Sequence, residues 1–282
     1  MSTTDVPIRI QEGQERPAAL TKPLLARRPW LQLGHANGFV TRHYTAAIDG
    51  LPPALAGFRI LHLSDLHIRS VWSSAYDELI ERTRSLAPDL ILVTGDIVHN
   101  RPNHYPAMPH AQRLLTHLPS RLGLHAILGN HDNMRVGFEL GQAGVSMLCG
   151  KRLLIHDRGA TLELIGGPGV DRQHLRPEFA KSFPPRQAGT PRIMMIHFPC
   201  HYARLAGMQP DLFLCGHTHG GQVCLPTGRP IICHDPSPIH HCHGAHRFGR
   251  THYIVNHGLG FSGFPIRLFC PAEVVLIELR GK

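Results

Sequence analysis

Five apolar runs in this 282-residue chain end in side chains able to bind metal or move protons. Residues 58–63 run into Ser64-Asp65-Leu66-His67, 90–93 into Gly95-Asp96, and 124–128 into Gly129-Asn130-His131-Asp132. Residues 193–196 end at His197, and 211–215 lead into Gly216-His217-Thr218-His219. The candidate ligands are therefore Asp65, His67, Asp96, Asn130, His197, His217 and His219. Carboxylates, imidazoles and one amide, without thiolate, suit borderline to hard divalent ions: Mn, Fe or Zn first, with Mg also compatible. Seven ligands are too many for one catalytic ion that keeps an open position, so two ions are the economical reading. Two ions about 3.5–4 Å apart need a bridging ligand, a part that a carboxylate can play and an imidazole cannot. Asp96 stands alone after its strand and is the expected bridge.

The elements that must position these residues follow from periodicity. Tyr76, Leu79, Ile80, Thr83 and Leu86 recur at helical spacing, with Ser74 and Asp77 placed as a capping box and Pro88 beyond the end. Ala111, Leu114, Leu115 and Leu118 repeat the spacing. Strand, helix, strand, helix, strand predicts βαβ units and a mainly parallel sheet, which carries functional residues at the carboxyl ends of its strands. Residues 39–48 alternate like an edge strand before Leu51-Pro52-Pro53. From 145 the texture changes, and 145–149, 153–156 and 162–165 read as hairpin strands joined by glycine-containing turns. Gly166-Gly167-Pro168-Gly169 is a turn, not a phosphate loop, because no helix pattern follows it. Strands over 253–255 and 274–279 close the chain. With no repeat and no composition break, the chain reads as α/β, with two sheet halves in a single domain over 38–282 and an N-terminal extension over 1–37.

Hydrophobic residues at 42% and charged residues at 17% describe an ordinary globular protein, not a disordered one. The excess of 29 Lys and Arg over 20 Asp and Glu gives +9, which calls for an anionic partner. Nucleic acid is not expected, since the basic residues are scattered and no aromatic platform accompanies them. Seven cysteines without a CxxC pair indicate neither a disulfide framework nor a zinc ribbon, and reduced thiols in a cytoplasmic protein are expected. No apolar run reaches membrane-spanning length, and Arg27-Arg28 is followed by Pro29 and polar residues rather than by an export signal. Leu24-Leu25-Ala26-Arg27-Arg28-Pro29-Trp30-Leu31 mixes cations with apolar anchors. Two expectations stay open for it: peripheral contact at the inner face of an anionic membrane, or packing of Trp30 on the domain.

In this order and spacing, over roughly residues 58–279, the five motifs resemble the calcineurin-like metallophosphoesterases. Ser64-Asp65-Leu66-His67, Gly216-His217-Thr218-His219-Gly220-Gly221-Gln222-Val223, and Gly258-Leu259-Gly260 with Pro265-Ile266-Arg267 resemble one bacterial branch of that family. This YkuE/YaeI-like branch is similar to the hydrolases of UDP-2,3-diacylglucosamine in lipid A synthesis. The resemblance implies a four-layer α/β/β/α sandwich. It implies that Asp65, His67 and His219 hold one ion with Asp96, and that Asn130, His197 and His217 hold the other with Asp96. A hydroxide between the ions would attack phosphorus in line. His131 would face the scissile phosphate and protonate the leaving group, and Asp132 would orient His131. The implied substrate is a phosphate-containing small molecule or a lipid-linked one, cleaved at a phosphodiester or pyrophosphate bond. A phosphatase of small metabolites or phosphoproteins is the enzymatic alternative, and a non-catalytic metal-binding scaffold the other.

Arg69, Arg101 and Arg135 each follow a ligand motif by a few positions, and two readings stay open for each: a cation at the mouth of the site for a second substrate phosphate, or a solvated loop arginine. The segment 234–246 holds His234, His240, His241, Cys242, His243 and His246, dense enough for an additional metal site or a lid. Its irregular spacing and the nearby Pro236 and Pro238 favour a loop.

Overall fold

The computed structural model describes residues 30–33, 38–170, 175–176 and 178–282. Most of the 1–37 extension, with the basic part of its expected docking stretch, lies outside the described residues.

Strand residues alternate between two faces, and here both faces are apolar. In one sheet the order is β2 (Val40–Ile48), β14 (Glu273–Gly281), β3 (Arg59–Leu63), β4 (Leu90–Val93), β5 (Leu124–Ala126), β6 (Ser146–Met147). In the other it is β11 (Gly244–Phe248), β12 (Thr251–Val255), β10 (Leu212–Cys215), β9 (Arg192–Met195), β8 (Ala160–Gly166), β7 (Arg152–Asp157). Most neighbours are parallel; the antiparallel pairs are β14 with β3, β11 with β12, and β7 with β8.

Between the sheets, Ile60, Leu90, Leu92 and Ile277 from the first pack against Leu164, Ile193, Met195, Leu212 and Leu214 from the second. The residues one position along face outward. Leu61, Leu63, Ile91 and Val93 pack under α1 (Ser74–Leu86), α2 (Met108–His117) and α3 (Met134–Gln142) through Leu79, Leu114, Leu115 and Leu140. Met194, Phe213, Tyr253 and Val255 pack beneath Met208 and Leu205, the latter in the short α4 (Tyr202–Leu205). The result is the α/β/β/α sandwich that the resemblance implies. No helix among the described residues is long and apolar enough to cross a membrane.

Two local expectations need correction, and one helix was not anticipated. The cap of α1 is Ser73, whose Oγ accepts from the Ala75 amide, while Ser74 is already helical. The run 145–149 forms no hairpin: its strand β6 joins the first sheet parallel to β5, leaving only β7 and β8 as the hairpin. Helix α3 has no counterpart among the periodic stretches read above. It starts at Asn133, whose side chain accepts from the Val136 amide at 3.0 Å, so the third motif runs directly into a helix.

Candidate metal centre

The carboxyl ends of β3, β4 and β5 in one sheet meet those of β9 and β10 in the other, and backbone contacts stitch the seam. The amides of Asp65 and His67 donate to the carbonyls of Gly95 and Asp96, each at 3.0 Å. Across the sheets, His197 Nδ1 donates to the Thr94 carbonyl at 2.7 Å and the His217 amide donates to the Asp65 carboxylate at 3.0 Å. Such closeness requires glycine at two motif positions. A Cβ on Gly129 would lie 2.2 Å from Asp96 Oδ1, and one on Gly216 would lie 1.9 Å from Ser64 Oγ.

Five of the seven expected ligands occupy a backbone region that L-residues avoid. Asp65, His67, Asp96, His217 and His219 have φ between +42° and +68°, and they are half of the ten such non-glycine residues among those described. Each conformation costs on the order of 1–3 kcal/mol and persists only where surroundings dictate it, typically at functional sites. Here the strain turns consecutive side chains into one space.

That space gathers two trios whose donor atoms lie within 4.8 Å of one another: Asp65, His67 and His219, and Asp96, His197 and His217. Asp96 sits between them, with Oδ2 at 3.5 Å from His67 Nε2 and 3.4 Å from His197 Nε2. Asn130 Oδ1 lies 3.1 Å from His197 Nε2, and His219 Nε2 lies 3.4 Å from Asp65 Oδ1 and 3.0 Å from His67 Nε2. Six of the seven residues are anchored by these contacts in pairs; His217 joins through its trio.

Electrostatics matches a cation site. Burial, reinforced for His219 by His67 and the Arg267 guanidinium, holds His67 and His219 well below the usual imidazole value, so both are neutral, the ligand form. Burial also pushes Asp65 up to about 6. Burial works against ionising Asp96 and His197, yet their mutual attraction prevails: Asp96 is held below the carboxylate range and His197 is raised to about 9. A divalent ion between them would displace the proton that His197 carries. Converging carboxylates, imidazoles and an amide therefore fit divalent metal.

The remaining expected residues separate. His131 is half-buried, its Nδ1 bonded to the His99 carbonyl at 2.9 Å and its ring 4.6 Å from that of His67. Nε2 is thus the nitrogen left for a substrate. Asp132 does not orient it. Its fully buried carboxylate accepts from the amides of Ile97 (3.0 Å), Val98 (2.9 Å) and Gly129 (2.9 Å), tying the third motif to the second. Arg69 lines a cleft with His67, Tyr76, Gly260 and Phe261. Arg135 instead bonds Glu139 at 2.6 Å on the surface of α3, and Arg101 is exposed, its carbonyl accepting from Asn133. The three arginines do not form one cluster.

Two residues without an expected role touch the centre. Arg267 is fully buried, donates to the carbonyls of His257 and Gly260, and lies 3.2 Å from His219 Nδ1. His99 Nδ1 lies 3.3 Å from His67 Nδ1, on the side away from Asp96, and His67, His99 and His131 form a third donor group. The signal for His99 was its place three residues after Asp96; for Arg267 it was the Pro265-Ile266-Arg267 pattern. The histidine-rich segment contributes to none of the donor groups found among the described residues. It is tied to the ligand loop by Thr218 Oγ1, which donates to the Cys242 carbonyl at 2.6 Å.

Replacing Asp132 with Ala is expected to remove roughly 3 kcal/mol or more of stability, because three buried amides lose their acceptor at about 1–3 kcal/mol each. Urea unfolding of the metal-free protein measures it. A loss below about 1 kcal/mol would show that the two loops are held together by other contacts.

Comparison with known proteins agrees with this geometry. A family model described as calcineurin-like phosphoesterase matches residues 58–221, more than half of the chain. The chain is 31% identical over 283 residues to the phosphodiesterase YaeI of Escherichia coli (strain K12), covering 91% of this chain and 100% of that one. It is 28% identical over 248 residues to the uncharacterized metallophosphoesterase YkuE of Bacillus subtilis (strain 168), covering 86% of this chain and 85% of that one. Among solved structures, the NAD nucleotidase NadN of Haemophilus influenzae is 15% identical with a TM-score of 0.42, covering 57% of this chain and 38% of that one, too distant to carry an argument. With its motifs converging on one buried donor set, the chain belongs to the calcineurin-like phosphoesterase family of metal-dependent hydrolases.

Proposed function

We propose that this protein hydrolyses a phosphodiester or pyrophosphate bond at a centre of two divalent ions that share Asp96. The observation that carries the reading is the position of the Asp96 carboxylate, one oxygen 3.5 Å from His67 Nε2 and 3.4 Å from His197 Nε2. Asp65, His67 and His219 would hold one ion, and Asn130, His197 and His217 the other. When bound, the ions neutralise phosphoryl oxygens and activate water at neutral pH. His131, fixed through Nδ1 by the His99 carbonyl, presents Nε2 to protonate the departing oxygen. The similarity to YaeI, named a phosphodiesterase, supports a diester over a monoester.

Arg69 is the cation placed to bind a further phosphate, since it lies in the cleft beside His67. Arg69→Gln is expected to raise KM several-fold for a substrate with two phosphates, with kcat retained. Arg135→Gln, whose partner is Glu139, should leave both unchanged. Steady-state kinetics on a nucleoside-diphosphate ester checks this, and an unaltered KM in Arg69→Gln would remove the assignment. The reading as a whole is tested by assaying metal-reconstituted protein on bis(p-nitrophenyl) phosphate, p-nitrophenyl phosphate and a pyrophosphate-linked lipid. Turnover confined to the monoester would favour the phosphatase alternative.

A further inference from the structure

A short ribbon beside the metal centre has one face turned to the ligands and the other to solvent, and the outer face is apolar. Strand β1 (Leu31–Leu33) pairs antiparallel with β13 (Ile266–Leu268), setting Gln32 opposite Arg267 and Leu33 opposite Ile266. On its other edge β13 meets residues 222–224: the Leu268 amide and carbonyl bond Gln222 O and the Cys224 amide, each at 2.9 Å. Alternation then sorts the side chains. Gln32, Arg267 and Cys224 are buried, with Arg267 reaching His219, while Leu31, Leu33, Val223, Leu225 and Ile266 are exposed. Trp30, which meets Phe269 at 6.1 Å between ring centroids, remains 61% exposed, and Phe264 is 81% exposed. Counting Ile231 and Ile232 beside Val223, nine of the thirteen exposed large apolar side chains among the described residues lie here. Protein surfaces that face only water rarely collect so many in one place.

The charge around this face is one-sided. The segments that build the face, 30–33, 222–232 and 264–269, contain no acidic residue, and their two cations are Arg229 and Arg267, the latter buried beneath the face. Arg229 is exposed in the turn between Leu225 and Ile231, and Arg27 and Arg28 precede Pro29 and Trp30 in the sequence. We propose that this ribbon docks the protein on a bilayer surface bearing anionic headgroups. Its apolar side chains enter the headgroup boundary while the exposed Arg229 meets lipid phosphates. A second copy of the chain fits less well, since pairing would bring together two molecules of charge +9, each with Arg229 exposed on this face and no acidic residue in the segments that build it. The docked face is one ribbon thickness from a metal ligand, because Arg267 spans from β13 to His219 Nδ1. The proposal stands apart from the choice of scissile bond, since its readout is binding.

The chain has two tryptophans, so Trp72→Phe leaves Trp30 as the reporter. Full-length protein carrying that change is mixed with vesicles of phosphatidylglycerol and phosphatidylcholine, and separately with phosphatidylcholine alone. The expected result is a blue shift of Trp30 emission and co-sedimentation with the anionic vesicles. Adding Leu33→Glu, Phe264→Glu and Ile266→Glu should lower partitioning at least tenfold, with turnover of bis(p-nitrophenyl) phosphate unchanged. Equal sedimentation of parent and triple variant, or no binding by the parent, overturns the proposal. A parent that is dimeric in solution and becomes monomeric in the triple variant, without vesicle binding, would assign the face to a second copy instead.

Discussion

Asp96→Ala is expected to lower turnover by on the order of 10⁴-fold or more, because it removes the one group placed between both donor trios. Losing a single electrostatic contact to a transition state typically costs about 10²–10³ in rate, and here both proposed ions lose a ligand at once. The damage extends to the loop, since Asp96 Oδ1 also accepts the His131 amide at 2.7 Å. Asp96→Asn separates the two effects: its amide can still accept that bond but offers no second negative oxygen to bridge ions. Steady-state rates with saturating Mn, alongside metal content by mass spectrometry, measure both. Activity within tenfold of the parent in either variant would mean that Asp96 bridges nothing.

His131→Gln should behave differently: metal content unchanged, turnover lowered by about 10²–10⁴. The ring bonds the His99 carbonyl through Nδ1 and lies beside His67 rather than within either proposed ligand trio. The signature of a proton donor is dependence on the leaving group. A p-nitrophenolate leaves without help, so the variant's loss on bis(p-nitrophenyl) phosphate should be at least tenfold smaller than on an ester of an aliphatic alcohol. An equal loss on both would make His131 a binder of charge and not an acid.

The donor set was legible because each motif sits where an apolar run stops. Parallel strands buried on both faces read as continuous hydrophobic runs, and their carboxyl ends gather on one side whatever the pairing order. Pairing order is a different matter. That β6 joins β5 rather than β7 depends on contacts that no local pattern encodes. Helix α3 was hidden for a physical reason: Met134 and Phe138 are 66% and 59% exposed, and Gly137 and Gly141 dilute the pattern, leaving Val136 and Leu140 as its buried pair. Asp132 shows the limit of reasoning from adjacency. Next to His131 in sequence, it turns the other way, to satisfy the Ile97 and Val98 amides beyond the second motif and the Gly129 amide of its own. Arg135 was readable after all, since Glu139 follows at the i,i+4 spacing that pairs charges on a helix.

The account rests on a centre of two ions with one shared carboxylate, and calorimetric titration of the metal-free protein with Mn²⁺ tests it directly. Two ions per chain are predicted for the parent and at most one, bound more weakly, for Asp96→Ala. A single ion in the parent, or two of unchanged affinity in Asp96→Ala, would contradict it.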